Sequence, residues 1–153
     1  MGAVTAAAFP VSGTVLTAAE YNKLPRGVVY YNTITANQNS ISTAVDLTNF
    51  TATWTAVAGR LYRTTAYIPE VLQQTATGVA VFRLTDSTPT DKQFYDNTAT
   101  ANSYYTVTLS LIESTLSGSV TRKMRASTNA GTMNALMSAA TPGFIMVEDV
   151  GGT

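Results

Sequence analysis

The sequence has no cysteine and no histidine. The first absence removes disulfides and thiol chemistry. Together they remove the Ser-His-Asp triad, the cysteine nucleophile and the usual zinc site. Charge is scarce as well. Only 12% of residues are charged, against about 25% in an ordinary globular domain. Nine Lys and Arg balance nine Asp and Glu, so the formal net charge is zero. No basic field exists to draw in nucleic acid or an anionic membrane. A neutral, charge-poor surface also predicts poor colloidal solubility for a free monomer, and so a surface covered by partners. No apolar run approaches the ~20 residues that span a bilayer. No targeting signal is evident, and the expectation is a soluble chain with no membrane contact. Phosphate- and dinucleotide-binding glycine loops are missing, and no cofactor is expected.

What remains is dominated by threonine and alanine, with valine, leucine and tyrosine also present in number. Threonine is β-branched and suits a half-exposed strand that is polar without being charged. At 153 residues the chain is one domain, long enough to bury a core. It begins with an apolar arm, Gly2 to Val15, too short and too broken to build a core of its own. Val4, Phe9, Val11, Val15 and Leu16 are its candidate attachment residues. A short helix follows over Thr17–Leu24. Thr17 and Glu20 have the spacing of a capping box, and Pro25 ends the helix. Residues 1–25 thus read as an attachment segment, and 26–153 as a β-domain.

Alternation marks the strands. They are expected over 27–35, 47–57, 60–68 (ending at Pro69), 78–85, 92–95, 103–112, 120–126, 132–137 and 144–148. Uneven spacing of Leu47, Phe50, Trp54 and Val57 predicts a bend or bulge. In 78–85, Ala80, Phe82 and Leu84 share one face; in 103–112, Tyr105, Val107, Leu109 and Leu111 do. Eight or nine strands at regular spacing predict an all-β fold, a jelly-roll β-sandwich preceded by the extended arm and one helix. An immunoglobulin-like sandwich is the second architecture.

Chemistry is sparse. Asp86, Asp91 and Asp96 bracket a loop, but their spacing fits no standard calcium loop, so they are read as solvated acids. Glu70, Glu113, Glu148 and Asp149 lie at strand ends, where carboxylates are ordinary, and no catalytic pair is expected. Trp54 is read as a core anchor. Arg122, Lys123 and Arg125 form the one basic run, read as a solvated edge or a contact for an acidic partner rather than a nucleic-acid patch. The tandem pairs Tyr30–Tyr31 and Tyr104–Tyr105 put one ring on each face. Tyr31, Tyr105 and Phe144 are the candidate residues of an oligomer interface.

Four stretches carry a resemblance. They are Leu16 through Tyr30 (LTAAEYNKLPRGVVY), Asp46-Leu-Thr with Phe50-Thr-Ala-Thr, Ala56 through Arg63 (AVAGRLYR), and Pro142 through Gly151 (PGFIMVEDVG). Together they resemble small structural proteins of tailed actinobacterial bacteriophages, many of them minor tail proteins. Such proteins carry domains similar to the trimeric jelly rolls of phage fibre heads and tumour-necrosis-factor-like modules. The resemblance implies a homotrimer bound to capsid or tail proteins of the same virion, and hence a virion location. Fibre proteins carry a long shaft before this domain. Here a short arm stands in its place, which favours decoration of the particle surface. The expected function is therefore a non-enzymatic virion protein, a capsid decoration (minor capsid) protein or short tail accessory. The alternative is a minor tail protein whose tip binds a host receptor or glycan.

Overall fold

The computed structural model describes residues 17–152. Among them the chain forms one helix, α1 (Ala18–Lys23), and ten strands. In order these are β1 (Gly27–Ile34), β2 (Gln38–Ile41), β3 (Val45–Ala56), β4 (Arg60–Gln73) and β5 (Gly78–Thr85). The second half contributes β6 (Asp91–Ala99), β7 (Ser103–Glu113), β8 (Gly118–Thr128), β9 (Met133–Leu136) and β10 (Gly143–Gly152). Two antiparallel sheets face each other as a sandwich. The first runs β1-β10-β4-β7, and the short β9 and β2 continue it beside the far half of β4. The second runs β3-β8-β5-β6.

A strand turns alternate side chains to opposite faces, so alternation decides what lies between the sheets. Ala80, Phe82 and Leu84 point inward from β5, as do Val107 and Leu109 from β7. Phe50, Trp54, Ile68, Met124, Ile145 and Val147 complete the centre of the core. Trp54 is the anchor its sequence position predicts, tilted against Tyr62 at 5.9 Å between ring centroids. The bend expected in 47–57 is a register break in the β3–β8 pairing between Asp46 and Thr51. Asn49 there adopts a left-handed backbone, φ 66°.

Several strands run longer than the alternation suggests. β4 does not stop at Pro69 but continues to Gln73. Proline has no N–H to give a ladder, and the β4–β7 register shifts between Ile68 and Val71 to pass it. The Thr106 hydroxyl donates to the Pro69 carbonyl at 2.8 Å. β6 runs from Asp91 to Ala99, not from Lys92 to Tyr95. β2 has no counterpart among the expected strands: its Gln-Asn-Ser start has no apolar alternation to see.

The helix forms as its sequence predicts. The Glu20 amide donates to the Thr17 hydroxyl at 3.2 Å, and the Thr17 amide donates to the Glu20 carboxylate at 2.8 Å. The Thr17 amide, with the Thr17 hydroxyl donating as well, holds the Glu20 carboxyl below its ordinary pKa. The candidate attachment residues Val4, Phe9, Val11, Val15 and Leu16 lie outside the described residues.

Candidate interaction face

The two outer faces of the sandwich differ in chemistry. On the first sheet, cross-strand pairing aligns Thr33 of β1, Phe144 of β10, Tyr67 of β4 and Thr108 of β7 in one row. Tyr31, Met146, Thr65 and Ser110 form the adjacent row. Phe144 sits at the junction. Its ring stacks on Tyr67 at 5.3 Å and tilts against Tyr31 at 6.0 Å. Tyr31, Tyr104 and Ile112 are each more than half exposed. Arg63 and Glu148 pair with each other on this face at 2.8 Å, and Glu70 stands exposed near one end.

The second sheet's outer face holds the charge. Asp46 bridges Lys123 at 3.1 Å and Arg125 at 2.8 Å. Arg83 reaches Asp91 at 3.4 Å, and Lys92 reaches Asp86 at 3.0 Å. Arg83 and Arg125 lie directly opposite each other across the β5–β8 ladder. Like charges so placed repel, and Asp91 and Asp46 flank them. Asp86, whose carboxylate also accepts from the Thr90 amide and the Thr88 hydroxyl, is held below the usual carboxylate range, chiefly by Lys92. Two of the loop acids are thus neutralised by neighbouring cations.

The candidate interface residues separate. Tyr31 and Phe144 meet on the outer face. Tyr105 does not join them. It turns between the sheets and meets Phe82 edge-on at 6.3 Å, while Tyr104 is the outward ring of that pair. The alternation that puts Val107 and Leu109 in the core carries Tyr105 with them. Burial pushes the Tyr105 hydroxyl up to about 12, and Asn97 beside it offsets the shift only in part. The hydroxyl makes no hydrogen bond of normal geometry. Ionisation is thus harder in the folded state than in the unfolded chain, where tyrosine titrates near 10. The stability this residue contributes is complete below about pH 10 and is lost as pH rises toward about 12. Thermal melts across that window should show a smaller alkaline loss for Tyr105→Phe than for the parent chain.

Two expected surface groups are buried. Arg122 is inward and pairs with Glu113 at 2.6 Å, leaving only Lys123 and Arg125 of the basic run on the outer face. Asp149, expected at a solvated strand end, is only 2% exposed. Its two oxygens accept from Arg60 Nε at 2.5 Å and Nη2 at 2.6 Å. Arg60 also donates to the backbone carbonyls of Asn22 and, at 2.7 Å, Leu24. The Arg26 amide donates to the Asp149 carbonyl at 3.1 Å. This clasp fixes the end of α1, a helix that buries none of its own residues. Gly151 and Gly152 make room for it: a Cβ on either would stand 2.9 Å from the Lys23 or Asn22 carbonyl oxygen. Gly151 also needs its φ of 135°. The sequence signal available for the clasp was the Asp-x-Gly-Gly run at 149–152, where two small residues follow an acid.

No protein-family model matches the chain, and no curated protein matches it. Among the described residues no helix is long and apolar enough to cross a membrane.

Proposed function

We propose that this chain is a structural protein of a bacteriophage particle. It is a trimeric surface module that decorates and steadies the shell or a short tail accessory, held to its neighbours by the N-terminal arm. The single observation that carries the reading is the partition of the two outer faces. One face carries most of the paired charges, with the exposed Phe94 ring beside Arg83. The other presents Tyr31, Phe144, Tyr67 and Ile112 around one ion pair, a surface that costs solubility unless a partner covers it. A closed ring of copies is the economical cover, because symmetry lets one patch be buried in every subunit.

The strand pairing supports a jelly roll. β1 pairs with β10, β3 with β8, β4 with β7 and β5 with β6. These nested pairs are what a long hairpin gives when it rolls into two facing sheets. The bacteriophage setting rests on the sequence resemblance. The non-enzymatic reading rests on the lack of histidine and cysteine, together with the pairing of Glu113, Glu148 and Asp149 to arginines.

Quantitative mass spectrometry of purified particles of the phage encoding this chain tests the proposal. Tens to hundreds of copies per particle are the expected result. A handful of copies would move the protein to the tail tip and favour host binding, and absence from particles would overturn the reading. Deleting residues 2–15 should leave a folded protein with a melting temperature within a few degrees of the parent, since the described core cluster is built from Ile34 onward. The same deletion should abolish incorporation into particles. Normal incorporation would refute the role given to the arm.

A further inference from the structure

Strand edges expose unpaired backbone groups, and proteins protect them with charge, proline, bulges or shortness. Among the described residues five strands have only one neighbour: β1, β2, β3, β6 and β7. Four of them are protected. β1 carries a register break between Val28 and Tyr30. Its Tyr30 hydroxyl donates to the Thr51 carbonyl of β3 at 2.9 Å, and Asn32 donates to the Asn49 carbonyl at 2.9 Å, so the β1 and β3 edges close on each other. β2 is four residues long. β6 carries Asp91, Lys92 and Asp96.

β7 has little of this protection: the one irregularity in its ladder places the extra residue on β4, beside Pro69. β7 is eleven residues long, with no proline, no glycine and no charge before its last residue, Glu113. Its sequence is Tyr, Thr, Val, Leu and Ile almost throughout, which favours extended backbone. Between 104 and 112 its edge-facing amides and carbonyls have no backbone partner among the described residues. A long, uncharged edge of this kind accepts another strand.

We infer that β7 is the receptor for the arm, residues 2–15, of a neighbouring copy, which adds to the first sheet as an extra strand. This rests on the reading of the arm as an attachment segment and names its partner. The match is one of charge and length. Residues 1–16 carry no charged side chain, and neither does β7 before Glu113. Sixteen extended residues reach about 50 Å, and β7 spans about 36 Å. Pro10 suits an added strand whose outer edge faces water. The donor is a neighbouring copy because the proposed assembly brings copies together along the first sheet.

The chain has no native cysteine, so any disulfide reports introduced residues alone. One population carries a single arm cysteine, at Val4, Phe9 or Val11 in turn, and a second carries Thr108→Cys. The two are mixed, unfolded, refolded together and oxidised. Thr108 points outward, so the substitution leaves the core intact. The expected result is a covalent heterodimer from at least one arm position. Its yield should be about tenfold above a control with Thr98→Cys on β6, reflecting the high local concentration of a docked segment. No heterodimer from any position, or equal yield with Thr98→Cys, overturns the inference. So does an intramolecular bond in the double variant with no heterodimer in the mixture. If the cross-link forms while the deletion variant still enters particles, the attachment reading fails and the β7 site stands. If incorporation is lost but no cross-link forms, the arm docks elsewhere and the β7 site fails.

Discussion

Replacing Asp149 with alanine should destabilise the protein by about 3–5 kcal/mol, because it leaves the Arg60 guanidinium buried and unpaired. Arg60 is 3% exposed and Asp149 2%, so water cannot replace the lost carboxylate without opening the structure. For a domain of this size such a loss lowers the melting temperature by roughly 10 °C or more. Asp149→Asn should recover only part of it, since one carbonyl oxygen replaces a bidentate carboxylate. Glu148 is the internal control. It neighbours Asp149 in sequence but faces outward, paired to an Arg63 side chain that is 44% exposed. Glu148→Gln should therefore cost less than about 1 kcal/mol. The clasp variants should also release α1, because Arg60 holds the carbonyls of Asn22 and Leu24. Trypsin cleavage after Lys23 and Arg26 should speed up in Asp149→Ala and stay unchanged in Glu148→Gln. Equal melting temperatures for the two variants would refute the clasp.

The second large effect concerns the aromatic face. Phe144 lies between Tyr67 and Tyr31, so a charge there strikes the middle of the patch. Phe144→Glu, or Tyr31→Lys on its rim, should convert the assembled protein to monomer. A charge forced into an apolar contact without a partner costs several kcal/mol per interface, enough for a hundredfold or larger loss of affinity. Tyr31 is more than half exposed, so Tyr31→Lys should leave the subunit's own melt nearly unchanged at a concentration where the parent is already dissociated. Charge changes at Asp46 and Lys123, on the opposite face, should leave assembly intact.

Much of this was written in alternation. Ala80, Phe82 and Leu84, or Val107 and Leu109, identify their faces without any tertiary information. The helix was equally legible, because a capping box and a following proline are local signals. The misreadings share one cause: they depend on which strands the fold brings together. Arg122 and Asp149 have the chemistry of surface residues, and only an ionic partner on another strand explains their burial. β4 passes Pro69 because β7 shifts register beside it, which no window around Pro69 can reveal. Tyr105 packs half-buried against the core by its own alternation with Val107, and membership of a tyrosine pair is the weaker signal. Phe144 and Tyr31 were found as single outward aromatics, but their meeting with Tyr67 required the β1-β10-β4 order.

The proposed assembly buries the first sheet's outer face between copies. Sedimentation equilibrium or native mass spectrometry of the full chain at micromolar concentration tests this most directly. Three times the subunit mass is the predicted result, falling to a single mass in Tyr31→Lys and Phe144→Glu. A parent chain that stays a stable monomer at those concentrations would contradict it.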